Sequence, residues 1–368
     1  MTNYDFMIIG GGPAGAVLAH GLASSKQSVL LLEGDNFTKP RVGETLAAHI
    51  QPELQQLGWW QDFLQLNPKP CHGIESTWNK REASFRSNVL NPLGNSWHVN
   101  RTAFDALLYN KVLAQHQVTA YSNARITQLQ QQSDDSWQVS WRSPKGEQTA
   151  QAAIYIDATG RKSLAKNKEK ISYQTFDQLV GVGLILEAIP SASLLRHLVI
   201  QACPQGWWYA APLQHNRSVL FLMTDVDIIK AQQLTNMDHW KAAMPPEKAL
   251  FKAFKDLIPT HKKLLIKQAH SQVVQAVHIN QFFTVGDALA SFDPITGLGV
   301  TRAIQTARGL ARWLPHHKQL NPTVCQTFLE QIQPLFRSYL QQWQHTYSTV
   351  TQWQEEQFWK RRQKTPLL

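Results

Sequence analysis

Two glycine-rich turns near opposite ends of the chain have the residue types and the spacing that bind a dinucleotide. The first turn is a GxGxxG motif formed by Gly10, Gly12 and Gly15, with Pro13 and Ala14 inside it. Gly10 permits the tight turn, Gly12 lets the backbone approach a pyrophosphate, and Gly15 lets the following helix pack closely. Because the first NH groups of a helix have no partner within the helix, they are free to bind the phosphates.

An acidic residue stands where a ribose diol needs a hydrogen-bond acceptor. The run SVLLLE predicts a buried strand that ends at Glu33, about twenty residues after the glycine motif. Together with the apolar run that begins at Tyr4 and the helix that follows Gly15, this strand completes a βαβ unit. A GxGxxG motif without such a context is weak evidence, since glycine-rich turns also occur for structural reasons alone.

The second turn has a carboxylate and repeated glycines. Asp287 ends a predicted strand over residues 282–285, and Gly297 and Gly299 open a predicted helix. A carboxylate at a strand end can accept hydrogen bonds from a ribityl chain, and free NH groups at a helix start can approach the pyrimidine edge of a flavin. A simple loop-to-helix turn needs neither feature, so the pattern favours a flavin.

Several polar residues between the two turns are candidates for contacts along the same cofactor. Arg41 is placed to meet a phosphate, Gly43 and Glu44 to lie against a ring, and Arg101 to clamp a pyrophosphate. Thr45 is also a candidate N-cap for the helix that follows it. The alternative interpretation is a capped helix with a solvated charge pair and a surface arginine.

The order of predicted elements indicates an α/β protein with a Rossmann-like dinucleotide-binding domain and an inserted antiparallel β-sheet domain. We assign residues 1–75, 99–165 and 270–320 to the binding domain and residues 76–98 and 166–269 to the β-rich substrate domain. Residues 321–368 are predicted to form a C-terminal helical segment. A strand over residues 154–157 runs into small residues that include Gly160, where the backbone can pass close to a cofactor.

Three adjacent aromatic residues mark the predicted substrate domain. Strand alternation puts Trp207 and Tyr209 on one face and Trp208 on the other. One of these faces is a candidate pocket lining. The alternative is that the rings fill the core of the sheet.

Composition and charge exclude several other classes. A hydrophobic content of 43% with 17% charged residues is typical of a globular protein, and no apolar run approaches the length of a membrane span. The N-terminal residues lack the basic region and the cleavage site that a signal peptide has, so none is expected. The net charge of +10 suits an anionic cofactor or an acidic partner, but the basic residues are dispersed and no nucleic-acid-binding motif accompanies them. Three distant cysteines and scattered histidines predict no disulfide framework and no metal site, and we expect a cytoplasmic protein.

Four elements taken together resemble the FAD-dependent monooxygenase and halogenase superfamily, which has a glutathione-reductase-type FAD domain. These elements are GGGPAG, RVGET, DATGRKS and GDALASFDPITGLG. The resemblance implies FAD as the cofactor and extends over nearly the full length. It implies the following cofactor-binding residues: Gly10, Gly12, Pro13, Ala14, Gly15, Glu33, Arg41, Gly43, Glu44, Thr45, Arg101, Gly160, Gly286, Asp287, Pro294, Gly297, Leu298 and Gly299.

Within this superfamily the chain is most similar to LodB/GoxB-type maturases, flavoproteins that help to generate the cysteine tryptophylquinone of certain oxidases. The similarity lies in GWWYxxPL, GDAxxxxDP and a closing FWxRR. It implies hydroxylation of a tryptophan in a partner protein, the precursor of a quinone-containing oxidase. Halogenation is less favoured, since Gly206 to Pro212 departs from the WxWxIP motif of flavin-dependent halogenases and Cys71 or His72 stands near the position of their catalytic lysine.

The implied substrate platform consists of the aromatic side chains of Trp207, Trp208, Tyr209 and Phe292, with His72 or Glu44 as the candidate proton-handling group. No second GxGxxG unit is present, so the electron donor is expected to be NAD(P)H bound transiently or a separate flavin reductase. Two alternatives stay open at this point. One is hydroxylation or halogenation of a small aromatic molecule, and the other is a non-catalytic flavoprotein that chaperones the assembly of an acidic partner.

Overall fold

The computed structural model describes residues 2–79, 82–165, 171–191, 193–259 and 262–364. The strands in this part of the chain are β1 Thr2–Ile9, β2 Val29–Leu32, β3 Thr45–Leu46, β4 Lys69–Cys71, β5 Gly73–Thr77, β6 Ser84–Ser87, β7 Ser96–His98, β8 Val118–Tyr121, β9 Arg125–Gln131, β10 Trp137–Ser143, β11 Gly146–Asp157, β12 Ile171–Thr175, β13 Leu179–Leu186, β14 Leu198–Cys203, β15 Gly206–Pro212, β16 Ser218–Asp225, β17 Leu265–Gln268, β18 Gln272–Val277, β19 Phe282–Thr284 and β20 Ala290–Ser291. The α-helices are α1 Pro13–Ser24, α2 Ile50–Gln56, α3 Trp60–Gln65, α4 Arg101–Leu113, α5 Val226–Ala231, α6 Met237–Ala242, α7 Ala249–Leu257, α8 Gly299–Trp313, α9 Pro322–Ser348 and α10 Gln357–Lys364.

The first sheet is the dinucleotide-binding layer. Its strand order is β8-β2-β1-β11-β10-β9, with β19 paired to β11. The strands β8, β2, β1, β11 and β19 are parallel, and β9 and β10 continue from β11 as an antiparallel meander. The second half of β1 is buried, as expected for a parallel strand covered on both faces. This arrangement confirms the predicted βαβ unit.

Helices α1 and α8, which follow the two glycine-rich turns, cross closely on this sheet. A Cβ atom on Gly21 would lie 2.5 Å from the Cβ of Ala311, so the two backbones approach each other at this glycine. The sequence places these helices far apart in the chain. Their contact brings the two glycine-rich turns to neighbouring positions along the carboxyl ends of the parallel strands, where ligands bind in open α/β sheets.

The second sheet is mostly antiparallel and forms the other layer. Its strand order is β17-β13-β16-β15-β14-β5-β6, and only the pairing of β14 with β5 is parallel. The strand β5 already begins at Gly73, slightly before the predicted start of the substrate domain at residue 76. Two smaller sheets, β3-β7-β4 and β12-β18-β20, lie beside the large ones.

Thr45 begins the short strand β3, and the next helix, α2, starts only at Ile50. The prediction that Thr45 caps a helix is therefore wrong. The physical reason is that Thr45 pairs with His98 of β7 and uses its hydroxyl group in side-chain hydrogen bonds.

The C-terminal segment forms a long helix and a shorter one. Asn321 caps α9 by accepting a hydrogen bond from the NH of Val324 at 2.9 Å, and Pro322 is the first residue of the helix. None of the described helices has the length and apolar character that crossing a membrane requires.

Candidate functional site

The first glycine turn combines two crowded glycines with an open one. The φ angle of Gly10 is +109°, and a Cβ there would lie 2.3 Å from the carbonyl oxygen of Ala158. A Cβ on Gly15 would lie 1.8 Å from the carbonyl oxygen of Gly10. By contrast, a Cβ on Gly12 would have no atom of a non-adjacent described residue within 4 Å. Gly10 and Gly15 therefore serve the packing of the turn, whereas Gly12 borders free space at the start of α1.

Glu33 lies directly after β2, beside the glycine turn. Its carboxylate accepts hydrogen bonds from the NH of Gly11 at 2.6 Å and from the NH of Asp35 at 2.9 Å. The side chain of Arg41 approaches the same carboxylate at 3.4 Å. The carboxylate is thus held in a fixed orientation at the strand end where the sequence predicts a ribose partner.

Arg41 and Arg101, both predicted to bind phosphate, converge on a carboxylate that sequence reasoning missed. Arg41 donates to Asp105 at 2.9 Å, and Arg101 pairs with the same carboxylate at 3.0 Å. Arg101 also donates to the carbonyl oxygen of Gly43 at 3.0 Å. Asp105 is 2% exposed, so this buried carboxylate sets the positions of both guanidinium groups and of the loop at Gly43. Its place on α4, one turn after Arg101, is the signal that would have predicted the i, i+4 pair.

The second glycine turn has the same combination of close packing and free space. Gly286 has a φ angle of +64°, and a Cβ there would lie 2.5 Å from the Cβ of Ala14 in α1. A Cβ built on Gly297 or on Gly299 would have no atom of a non-adjacent described residue within 4 Å. The carboxylate of Asp287 pairs with Arg161 at 3.1 Å, a partner that the sequence analysis did not identify.

The other residues of this predicted set lie on connecting segments. Pro294 begins a single 3-10 turn that ends at Gly297, whose φ angle of +63° is left-handed. Leu298 precedes the first residue of α8, and its NH approaches the hydroxyl of Thr296 at 3.4 Å. Gly160 follows β11 with a φ angle of +78°, and a Cβ built there would have no atom of a non-adjacent described residue within 4 Å.

A line of hydrogen-bonded side chains connects the loop after Gly43 to the second sheet. The hydroxyl of Thr45 lies 2.9 Å from the Nδ1 atom of His98 and 2.9 Å from the hydroxyl of Tyr209. Glu44 precedes Thr45 and is 4% exposed, and its carboxylate accepts a hydrogen bond from the NH of Gly43 at 2.8 Å. The Nε2 atom of His98 is buried and has no hydrogen-bond partner among the described residues. We name Glu44, Thr45, His98 and Tyr209 the junction cluster.

Burial sets the protonation states in the junction cluster. It lowers the pKa of His98 to about 3, with the positive charges of Lys69 and His197 acting in the same direction, so the imidazole is neutral. Burial also raises the pKa of Tyr209 well above its usual value, and the neighbouring Glu44 carboxylate adds to this effect. The cluster therefore has a neutral imidazole and two hydroxyl groups joined by hydrogen bonds, which fix the orientation of the Tyr209 hydroxyl. His98 was missed because nothing in the local sequence distinguishes it from the other histidines.

The remaining predicted substrate residues lie in different surroundings. The ring of Trp208 packs against Trp240 and Phe251, with centroid distances of 5.1 and 5.6 Å. Trp207 points to the opposite side of the sheet, where it donates a hydrogen bond to the hydroxyl of Tyr347 at 2.9 Å. The predicted alternation of β15 is thus confirmed. Both indoles fill cores, and of the three adjacent aromatics only Tyr209 joins the junction cluster.

Phe292 and His72 lie outside the junction cluster. Phe292 is buried beneath the guanidinium of Arg302, 4.2 Å from the ring centroid, and it contacts Tyr339 edge to face. His72 is exposed, and its Nδ1 atom lies 3.3 Å from the side-chain oxygen of Asn95. No hydrogen bond in the described ranges links His72 to Glu44, the other predicted proton-handling residue. In the same part of the chain, no group of three or more histidine, cysteine, aspartate or glutamate side chains is arranged to hold a metal ion.

The family profile of the FAD binding domain matches residues 3–319. The chain belongs to this family. It is also 31% identical to LodB of Marinomonas mediterranea, which is named as a FAD-dependent oxidoreductase, over 98% of this chain and 97% of LodB. The family membership and this match show a FAD-dependent oxidoreductase and confirm the predicted cofactor.

Other relatives of this FAD-binding protein include a tryptophan 2-halogenase of Chondromyces crocatus. That protein is 24% identical over 83% of this chain, and the match spans 60% of the halogenase. Among solved structures, the flavin-dependent halogenase CmlS superposes with a TM-score of 0.80 at 21% identity, covering 100% of this chain and 68% of CmlS. The peptidyl tryptophan dihydroxylase QhpG superposes with a TM-score of 0.78 at 18% identity, covering 100% of this chain and 80% of QhpG. These likenesses confirm the predicted α/β fold with its second sheet.

The residues present fit FAD on grounds of geometry as well. Three glycines, Gly12, Gly297 and Gly299, border space that a side chain would fill, at the starts of the two helices α1 and α8. Helix starts present free NH groups to an anion. The two turns are brought together by the crossing of these helices, so that one extended dinucleotide can reach both.

Proposed function

We propose that this chain is a FAD-dependent hydroxylase of a tryptophan side chain in a partner protein, which is a precursor of an oxidase with a cysteine tryptophylquinone. The observation that carries the proposal is the end-to-end match to LodB at 31% identity, over 98% of one chain and 97% of the other. The likeness in fold to QhpG, a peptidyl tryptophan dihydroxylase essential for tryptophylquinone cofactor biogenesis, supports the choice of reaction.

In this proposal the two glycine turns hold the two ends of FAD. Gly12 and the NH groups of α1 bind the pyrophosphate, Glu33 binds the ribose, and Asp287 binds the ribityl chain. Gly297 and Gly299 border the isoalloxazine. Arg41 and Arg101 lie along the cofactor and are held in place by Asp105, so that mutual repulsion of the two guanidinium groups is offset by one buried carboxylate.

Bound FAD, once reduced, supplies the activation of dioxygen for transfer of one oxygen atom to an electron-rich ring. The protein's part is to orient the indole, to exclude water and to handle protons. Tyr209 keeps its proton because burial and Glu44 raise its pKa, and Thr45 connects it to the neutral His98. We assign this line of hydrogen bonds to holding the protonated Tyr209 hydroxyl in a fixed orientation, as a hydrogen-bond donor toward the substrate. Electrons come from NAD(P)H or from a separate flavin reductase.

The experiment is co-expression of the oxidase precursor with this chain, followed by peptide mass spectrometry of the precursor. We expect oxygen to be added to one tryptophan only when this chain is present. The matched control is Gly12→Ala, in which a methyl group enters the space assigned to the pyrophosphate without touching other described residues. Equal tryptophan oxidation with the wild-type chain, with Gly12→Ala and with no chain would refute the hydroxylase.

Halogenation of an aromatic substrate is the second candidate function, because the tryptophan 2-halogenase matches 83% of this chain. The two reactions are distinguished in the same experiment by adding bromide to the growth medium. A bromine isotope pattern on the substrate tryptophan, or on free tryptophan, would favour the halogenase. Oxygen addition that is independent of halide would favour the hydroxylase.

A further inference from the structure

A buried carboxylate connects the second glycine turn to the C-terminal helix. Asp293 is 1% exposed, and its Oδ1 atom accepts a hydrogen bond from the NH of Ile295 at 2.9 Å, in the turn that leads to Gly297. Its Oδ2 atom accepts from the hydroxyl of Tyr347 at 2.8 Å and from the indole nitrogen of Trp343 at 2.9 Å.

The direction of the Tyr347 hydrogen bond follows from its second partner. The indole NH of Trp207 can only donate, and it donates to the Tyr347 oxygen at 2.9 Å. The Tyr347 proton therefore points at Asp293. Burial, reinforced by the charge of Asp177, raises the pKa of Asp293 to about 6, which makes this carboxylate a better proton acceptor than an exposed one. Packing alone does not require this arrangement, since phenylalanine has the same ring.

An unbroken series of aromatic rings leads from Tyr347 to the surface. The centroid of Tyr347 lies 5.7 Å from Trp78 and 5.8 Å from Trp359, and Trp78 lies 5.4 Å from Trp359. Trp353 stacks on Trp359 at 6.1 Å with an angle of 26° between the rings. Trp359 is fully buried, whereas Trp78 and Trp353 are partly exposed. Tyrosine and tryptophan are the side chains most readily oxidised by one electron apart from cysteine, and rings in contact exchange electrons rapidly.

We propose that Tyr347, Trp359, Trp78 and Trp353 form a one-electron path between the turn at Asp293 and the protein surface. In the elementary step, an oxidised indole radical cation of Trp78 or Trp359 takes one electron from Tyr347. The O–H bond of Tyr347 breaks, its proton moves to Oδ2 of Asp293, and the products are a neutral phenoxyl radical, a carboxylic acid and a restored indole.

The same path carries an oxidising equivalent from the turn outward when the electron flow is reversed. It would protect residues beside a bound flavin when oxidation there does not reach a substrate. This purpose rests on the proposed function, because FAD-dependent oxidation at Gly297 and Gly299 is the source of the oxidant. The path itself does not depend on which substrate is oxidised.

The experiment is pulse radiolysis of the full chain with azide radicals, which oxidise exposed tryptophans by one electron. No FAD and no partner are needed, so the result is independent of the proposed function. We expect the absorbance of the tryptophanyl radical to decay as that of the phenoxyl radical grows, at a rate that does not depend on protein concentration and that falls in D2O because a proton moves with the electron.

Two variants and one control decide the outcome. Tyr347→Phe keeps the ring and should lower the amplitude of the concentration-independent phase, of which other pairs in contact, such as Trp141 and Tyr121 at 5.2 Å, supply the remainder. The double variant Trp78→Phe with Trp353→Phe keeps the Tyr347 hydrogen bonds and should slow the Tyr347-dependent part at least tenfold. Tyr4→Phe, remote in the first sheet, should match the wild type, and thermal unfolding verifies that each variant is folded. An unchanged phase in Tyr347→Phe, or in the folded double variant, overturns the proposal.

Discussion

The hydroxyl groups of Thr45 and Tyr209 lie 2.9 Å apart although 164 positions separate the two residues in the chain. Thr45 belongs to the small sheet that follows the first glycine motif, and Tyr209 belongs to the central part of the second sheet. This hydrogen bond therefore joins the cofactor side of the protein to the side that we assign to the substrate.

Replacement of Thr45 by valine tests this connection with almost no change of volume. The variant leaves the Tyr209 hydroxyl and the buried imidazole of His98 without their shared partner, and we expect a loss of about 1–3 kcal/mol in the free energy of unfolding. We expect hydroxylation of the partner to slow by about tenfold, which corresponds to the loss of one hydrogen bond of about 1.4 kcal/mol that orients the Tyr209 hydroxyl. Urea unfolding and the rate of oxygen incorporation are the measurements.

Thr149→Val is the control for Thr45→Val, because the Thr149 hydroxyl is exposed and bonds to Ser140 on a neighbouring strand. This change should leave both quantities near wild type. If Thr45→Val unfolds at the same urea concentration as Thr149→Val and turns over equally fast, the Thr45 hydroxyl has no role in stability or in turnover.

Two alanine substitutions in the first glycine motif should separate binding from folding. Gly12→Ala adds a methyl group that has no atom of a non-adjacent described residue within 4 Å, at a φ angle of −67° that alanine adopts freely. We expect the thermal stability of the FAD-free protein to be unchanged and FAD affinity to fall by at least tenfold. Fluorescence titration with FAD and calorimetry of the FAD-free protein are the measurements.

Gly10→Ala should act on folding itself. Its methyl group would lie 2.3 Å from the carbonyl oxygen of Ala158 at a φ angle of +109°, so the turn must distort. We expect a loss of more than about 2 kcal/mol even without FAD. An unfolding temperature equal to that of Gly12→Ala would contradict the assignment of Gly10 to the packing of the turn.

The neutral state of His98 makes a pH-dependent contribution to stability. Its pKa is about 3 in the folded protein and about 6.5 in an unfolded chain, so the contribution is complete above the unfolded value and is lost as the pH falls. In His98→Gln, which cannot be protonated, the stability difference from wild type should shrink by about 2 kcal/mol between pH 7 and pH 5.

Urea unfolding at the two pH values measures this difference for His98→Gln. His116→Gln, at an exposed ring, is the matched control for the exchange of a histidine for glutamine. A stability difference for His98→Gln that is the same at both pH values would show that the folded protein accepts a charged imidazole at this site.

A buried ion pair anchors the C-terminal helix α10 to the second sheet. Arg362 and Asp225 are 1% and 2% exposed in their side chains and lie 2.7 Å apart. Among the described residues, Arg362→Met leaves the buried carboxylate with the longer 3.3 Å ion-pair contact to Arg361, and we expect a loss of about 3–5 kcal/mol. The exposed pair of Arg142 and Glu147 is the comparison, and Arg142→Met should cost less than about 1 kcal/mol. Equal effects in urea unfolding would contradict a structural role for the buried pair.

The elements of the cofactor side are predictable from the sequence. The βαβ unit around Gly10 to Glu33 and the strand and helix on either side of Gly297 depend on local spacing and local hydrogen bonds. Such patterns can be recognised in a sequence because the glycines and the strand period act on neighbouring residues. The alternation of Trp207, Trp208 and Tyr209 across β15 was predictable for the same reason.

Contacts between side chains that are distant in the chain depend on the three-dimensional packing of the elements. The residues around Thr45 predict a helix cap, but pairing with β7 puts the Thr45 hydroxyl between His98 and Tyr209. Asp105 and Asp293 gain their roles from residues that other elements bring to them. Burial then sets the pKa of His98, Tyr209 and Asp293, because the loss of water around a charge depends on packing from every side, which one-dimensional spacing does not encode.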